Sequence, residues 1–245
     1  MNLQQQRTAL RTQLLDLSRL SQRALDYSIK GYELNNAEFS RHTGTVKHQL
    51  REQYCQIKVL SRQLIGTGIA ATSDFRFSLA AVRLSSALYK TYAASTRIAQ
   101  MTTLRLENKI VTRCAALDEF GELVNRLVRL CTVALFLNDA GPAETVLHNQ
   151  AVWRRSELIL DRSQSATENG PHAGDRHTIA ITKNLCVIAR QAHEMADAIL
   201  FWLKGRDCAL AFETEGHHAL EHLIPQSRFA AENTFEPAGN QLSCF

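Results

Sequence analysis

The amino-acid sequence predicts an all-α protein built as two tandem three-helix bundles related by pseudo-symmetry. Three observations carry that expectation. Apolar residues recur at alternating steps of three and four along the long segments, which gathers them on one helix face that must be buried. No segment alternates with period two over a convincing length, so strands are not expected. The chain also states its plan twice, with one three-helix unit from about Leu3 to Arg105 and a second from about Asn108 to Gly205.

The first helix closes at Lys30-Gly31-Tyr32-Glu33, where Gly31 reads as the stop and Asn35-Asn36 as the cap of the next helix. The second segment follows its apolar register through Phe39, Val46, Leu50, Ile57, Leu60 and Leu64, with Thr43 and Gln53 completing it. A glycine-rich stretch around Gly66-Thr67-Gly68 separates it from a third helix, for which Ser73 reads as the cap. That third helix is low in bulk, with Ser85-Ser86-Ala87 and Ala93-Ala94-Ser95-Thr96, so its neighbours can approach closely and a central position is expected. The fourth holds its spacing for eight positions: Ile110, Cys114, Leu117, Gly121, Val124, Val128, Cys131 and Leu135. Asn138-Asp139 ends it, and Pro142 suits the first turn of a fifth. Residues Ser163 to Gly174 are polar and contain Gly170 and Pro171, which reads as a longer loop. The sixth helix carries Leu185, Ala189, Ala192, Ala196, Ile199 and Leu203.

The repeat can be checked by offset. Ala37-Glu38 and Ala143-Glu144 open the second helix of each unit 106 positions apart, while Asp74 and Asp175, like Ile98 and Ile199, lie 101 apart. The domain boundaries follow as 1–105 for the first unit, 106–207 for the second, and 208–245 for an irregular tail in which periodicity fades.

Composition narrows the function. The chain has 245 residues, 45% hydrophobic and 21% charged, enough for a real core. The N-terminal residues lack an apolar signal core, and every long apolar stretch is broken by charge. Six cysteines without CxxC pairing read as reduced thiols, and a cytoplasmic location is expected. The net charge of +4 is uneven: 15 Lys and Arg against 6 Asp and Glu up to Arg105, then 13 against 18. Ordinary variation between two solvated surfaces is the simpler explanation. The functional one is a basic half that docks on an acidic partner or an anionic membrane face. Scattered basic residues, not interleaved with exposed aromatics, argue against nucleic-acid binding.

No nucleophile elbow, no cysteine with a catalytic signature and no phosphate-cradling loop is present, so no enzyme is expected. His218 and His222 share helical spacing beside His217, but structural zinc needs four ligands, and adventitious binding is the commoner fate. Glu38 and His42 lack the Glu-x-x-His pattern of di-iron bundles.

At Ala71-Thr72-Ser73-Asp74-Phe75-Arg76, followed by a long helix through Arg97-Ile98-Ala99, the chain resembles the PhoU family of phosphate-signalling regulators. The second unit matches this entry at Asp175-Arg176, and its close, Met195 to Asp207, is also similar to that family's ending. The helix-entry motif is thus Ser73, Asp74 and Arg76 in one unit, with Asp175 and Arg176 in the other. The likeness runs from about Leu10 to Asp207. It implies negative regulation of phosphate uptake and phosphate-starvation signalling, without cofactor. The implied partners are the ATPase of a phosphate ABC transporter and/or a sensor histidine kinase, at the inner membrane surface at most. A homodimer is compatible with it.

The resemblance also implies an acidic stripe on the third and sixth helices that binds metal clusters, because carboxylates one turn apart share hard cations. Here the matched positions are Tyr89, Ala93 and Thr96, then Cys186, Arg190, His193 and Asp197. Cys186, His193 and Asp197 are individually able to ligate, but Arg190 sets a permanent cation among them. An i,i+4 ion pair from Arg190 to Glu194 is the simpler expectation, and no metal site is expected. The alternatives are a metal-binding bundle using Cys186, His193, Asp197 and the tail histidines His217, His218 and His222, and a helical scaffold whose partner has nothing to do with phosphate.

Overall fold

A computed structural model describes residues 3–66, 73–110, 114–168 and 173–205. Eight helices are present among them: α1 Leu3–Glu33, α2 Ala37–Thr45, α3 Lys47–Gly66, α4 Ser73–Glu107, α5 Ala115–Leu137, α6 Ala140–Leu147, α7 Ala151–Glu168 and α8 Ala173–Lys204. There are no strands among the described residues. The first unit comprises α1, α2–α3 and α4, and the second comprises α5, α6–α7 and α8.

Six expected helices become eight because the second helix of each unit is broken. After α2 the hydroxyl of Thr45 donates to the carbonyl of His42 at 2.8 Å, and the Val46 N–H bonds back to Gly44. The regular ladder therefore stops for one residue before α3 resumes at Lys47. In the second unit α6 ends where the His148 N–H bonds to Glu144 and the Asn149 N–H to Val146. Both breaks tighten the last turn, a common way to satisfy terminal backbone groups.

Four further expectations are corrected. Gly31 is not a helix stop: it lies inside α1, where a Cβ would come within 2.7 Å of the Ser40 hydroxyl. It is small so that α2 can cross α1, and the left-handed residue that ends the helix is Asn35, at φ 49°. Asn36 then caps α2 as expected, its side chain accepting from the Glu38 N–H at 2.8 Å. The polar stretch expected as a loop from Ser163 is helical through Glu168, since Ser, Gln and Thr are tolerated on a helix and the breakers come only later. Ser73 is the first helical residue of α4 rather than the cap before it, and α5 starts at Ala115, several residues after Ile110. Asn138 (φ 56°) closes α5 and Asp139 caps α6, accepting from the Gly141 N–H at 3.0 Å, which leaves Pro142 in the first turn as expected. Residues 67–72 and the tail 208–245, with His217, His218 and His222, lie outside the described residues.

α4 and α8 form the most extensive helix pair, followed by α1 with α4; α5 packs on α8 and on α1. The core runs through both units without interruption, joining Leu14, Phe77, Leu84 and Ile98 of the first to Phe120, Val128, Ile188 and Ile199 of the second. α4 fits into this centre by being narrow. Its buried Ser78, Ser85, Ser95 and Thr102 donate to carbonyls three or four residues back along the same helix, which satisfies each hydroxyl without a partner elsewhere. The Ser21 hydroxyl of α1 reaches across to the Leu88 carbonyl at 2.9 Å.

Candidate functional site: the seam between the two central helices

Both stripes expected from the sequence fall on α4 and α8, and the structure shows what stands there instead of a carboxylate cluster. On α4, Tyr89 stacks on Tyr54 of α3 with ring centroids 4.8 Å apart. Ala93 offers no donor atom, and the Thr96 hydroxyl donates to the Tyr92 carbonyl at 3.1 Å. On α8, Cys186 is 1% exposed, and burial pushes its thiol up to about 11, partly offset by Ser156 and Arg190. It stays a neutral thiol at physiological pH, a poor ligand and a poor nucleophile. The Nδ1 of His193 lies 2.9 Å from the Ala189 carbonyl, which only accepts, so that nitrogen carries the proton and donates. Its ring packs 5.3 Å from Trp153.

Asp197 is committed elsewhere. It is 5% exposed and pairs with Arg83 of α4, which closes the seam with a nearly buried carboxylate held by a half-exposed guanidinium. One turn nearer the start of α8, Glu194 pairs with Lys90 of α4 at 3.8 Å and accepts from Gln191 at 3.2 Å. The expected Arg190–Glu194 pair is therefore not what forms: Glu194 turns across the seam to Lys90. Cys186, His193 and Asp197 do not converge, and no three His, Cys, Asp or Glu side chains gather into a metal site among the described residues. The donor set does not fit a metal cluster, because cations of the protein itself occupy the carboxylates.

The entry motif has a structural part to play. Asp74, in the first turn of α4, pairs with Arg7 of α1 at 2.9 Å, and its charge suits the positive end of the helix dipole. The Arg76 Nε donates to the Trp202 carbonyl at 3.4 Å, placing a cation over the last turn of α8, where Gly205 is left-handed. Phe77 meets Trp202 at 4.8 Å between centroids in the same place. Arg176 is exposed, while the Asp175 side chain lies outside the described residues. Glu38 and His42 approach to 3.9 Å on the surface, an ordinary i,i+4 contact.

Sequence reasoning missed three groups. Arg83 and Lys90 on α4, facing Glu194 and Asp197 on α8, are like charges one or two turns apart on each helix, a spacing that could have flagged two complementary faces. Arg105 is 2% exposed; it donates to the Ile110 carbonyl at 2.9 Å and to the Asn35 side chain at 2.8 Å, and it lies over the Tyr32 ring at 4.6 Å. Burial raises the Tyr32 pKa, which the nearby Arg105 charge partly offsets. The signal was a cation seven residues beyond Ile98 on the buried face of α4. Between α1 and α5, Asp26 accepts from Asn125 and from Arg129, both at 2.9 Å, and Gln22 bonds Asn125. These polar ties join the two units where side chains are half-buried.

No protein-family model and no curated protein matches this chain. Solved structures do. PhoU from Pseudomonas aeruginosa superposes with a TM-score of 0.79 at 15% identity, covering 84% of this chain and all of that one. The phosphate transport system regulatory protein PhoU from Streptococcus pneumoniae gives 0.75 at 14% identity, covering 84% and 99%. The eight described helices thus adopt the PhoU fold, with Arg83 paired to Asp197 and Lys90 to Glu194 across its central seam.

Proposed function

We propose that this protein regulates phosphate uptake and phosphate-starvation signalling by contact, engaging the ATPase of a phosphate transporter and/or a sensor histidine kinase, and that it catalyses no reaction. The observation that carries this reading is the end-to-end likeness to a phosphate transport system regulatory protein, whose length is covered to 99%. A contact role also agrees with the surface: Val133, Phe136 and Leu137, at the end of α5, are each more than two-fifths exposed and give a partner an apolar edge. The seam supports a version without metal, since its carboxylates already have cations.

The test is a deletion strain carrying a phosphate-regulated reporter, grown with ample phosphate. Loss of repression that is rescued by the wild-type chain supports the reading. Rescue by Glu194→Gln as well would show that the seam carboxylate serves structure alone. Unchanged repression and unchanged phosphate uptake in the deletion strain would overturn the proposal.

A further inference from the structure

The basic character of the chain is concentrated in its first unit. Residues 1–105 hold 15 Lys and Arg against 6 Asp and Glu, whereas residues 106–205 hold 11 against 12. Part of that excess is paired across the seam, as in Arg83 and Lys90. Another part faces outward from α3. Lys47, Arg51, Lys58 and Arg62 follow one another at steps of four, seven and four, which on a helix holds them within about 60° of arc along roughly 22 Å. Lys47, Arg51 and Arg62 are exposed and Lys58 is half-buried, its ammonium 4.4 Å from the centre of the Tyr54 ring. The face of α3 about 120° round from the stripe, with Leu50, Ile57 and Leu64, is buried, and α3 packs on α1 and α4 within its own bundle. Glu52, the one carboxylate of α3, lies about 100° round from Arg51 and accepts from Gln56 at 3.1 Å.

We propose that this stripe docks the protein on an anionic lipid surface. The pattern fits a plane of headgroups better than a protein. A protein partner derives its affinity from an anchor buried in a pocket. Here the exposed large apolar residue of α3, Val59, sits on the flank rather than within the stripe. A charged leaflet needs only cations within a Debye length, and four aligned on one helix meet that condition. The proposal does not depend on the phosphate reading.

The full chain is sedimented with vesicles containing about one-third phosphatidylglycerol in phosphatidylcholine, and with phosphatidylcholine alone, at roughly 0.1 M salt, where the Debye length is about 10 Å. Binding to the anionic vesicles only, lost at higher salt, is expected. The K47Q/R51Q/K58Q/R62Q variant should bind at least about tenfold more weakly, each cation being worth roughly a factor of five near such a surface. A charge-matched control, R126Q/R154Q/R162Q/R176Q, removes exposed cations of the second unit and should keep most of the binding. Circular dichroism melts establish that both variants fold. Equal binding to neutral vesicles, equal loss in both variants, or full retention by the α3 variant would overturn the proposal. So would capture of polyglutamate in preference to the vesicles, which would assign the stripe to an acidic protein.

Discussion

α4 and α8 hold corresponding places in the two bundles and face each other along the middle of the molecule, but their buried faces are made differently. Both bury alanines and large side chains, but α4 adds five buried hydroxyl residues (Ser78, Ser85, Thr91, Ser95 and Thr102), whereas α8 adds one among its described side chains, Thr182. Their charges divide as cleanly: α4 supplies Arg83 and Lys90, and α8 supplies Glu194 and Asp197. At the seam itself, cations from one helix meet carboxylates from the other, which makes the two faces complementary. Two identical faces of either kind would repel. Complementarity of this sort does without an added cation, because each carboxylate is neutralised from across the seam.

The comparison is broken most directly where the two helices share an aromatic contact. Phe77→Ala and Trp202→Ala should each cost about 3–5 kcal/mol in urea unfolding. The double variant should cost less than the sum by about 0.5–1.5 kcal/mol if the ring contact is direct. Strict additivity would place the two rings in separate environments.

Asp197→Ala should be next, at about 1–3 kcal/mol, held below the fully buried value because Arg83 keeps partial access to water. Arg83→Ala should largely erase the difference in a double-mutant cycle. A comparable effect comes from Cys186. Its folded pKa, about 11, lies above the ordinary 9.0, so its contribution is complete below pH 9 and is lost as pH rises from there through 11. Wild-type stability should fall in that window by about 2 kcal/mol more than that of Cys186→Ala. In native protein, alkylation should reach the exposed Cys55 quickly and the buried Cys131 and Cys186 only after unfolding. The smallest effect sharpens the contrast within the seam itself. Lys90→Ala, at an exposed pair, should change stability by less than about 0.5 kcal/mol. A loss as large as that of Asp197→Ala would mean that exposure does not separate the two pairs.

Much of the fold was legible because a buried helix face repeats at a fixed period: Leu117, Val124, Val128, Cys131 and Leu135 are all buried in α5. Caps were legible where a side chain completes the backbone, as at Asn36. The breaks after Thr45 and Leu147 were not, since the apolar register passes through Val46 without a fault while the ladder is interrupted by local hydroxyl and amide bonds. Gly31 misled because a glycine that ends a helix and one that lets another helix cross look alike in one dimension. At the seam, the absence of a carboxylate stripe on α4 could be read directly. The partners of Glu194 and Asp197 could not, because periodicity reveals which face a residue occupies and not which distant helix meets it. Arg190 lay nearest in sequence and lost to Lys90 for that reason.

The seam also sets an order of events during synthesis. Arg83 and Asp197 are 114 positions apart, so α4 leaves the ribosome well before the helix that covers it. In that interval the first bundle has its own local contacts to fold upon but an unshielded side bearing Phe77. Nascent chains halted before α8 should therefore be the ones that chaperones hold.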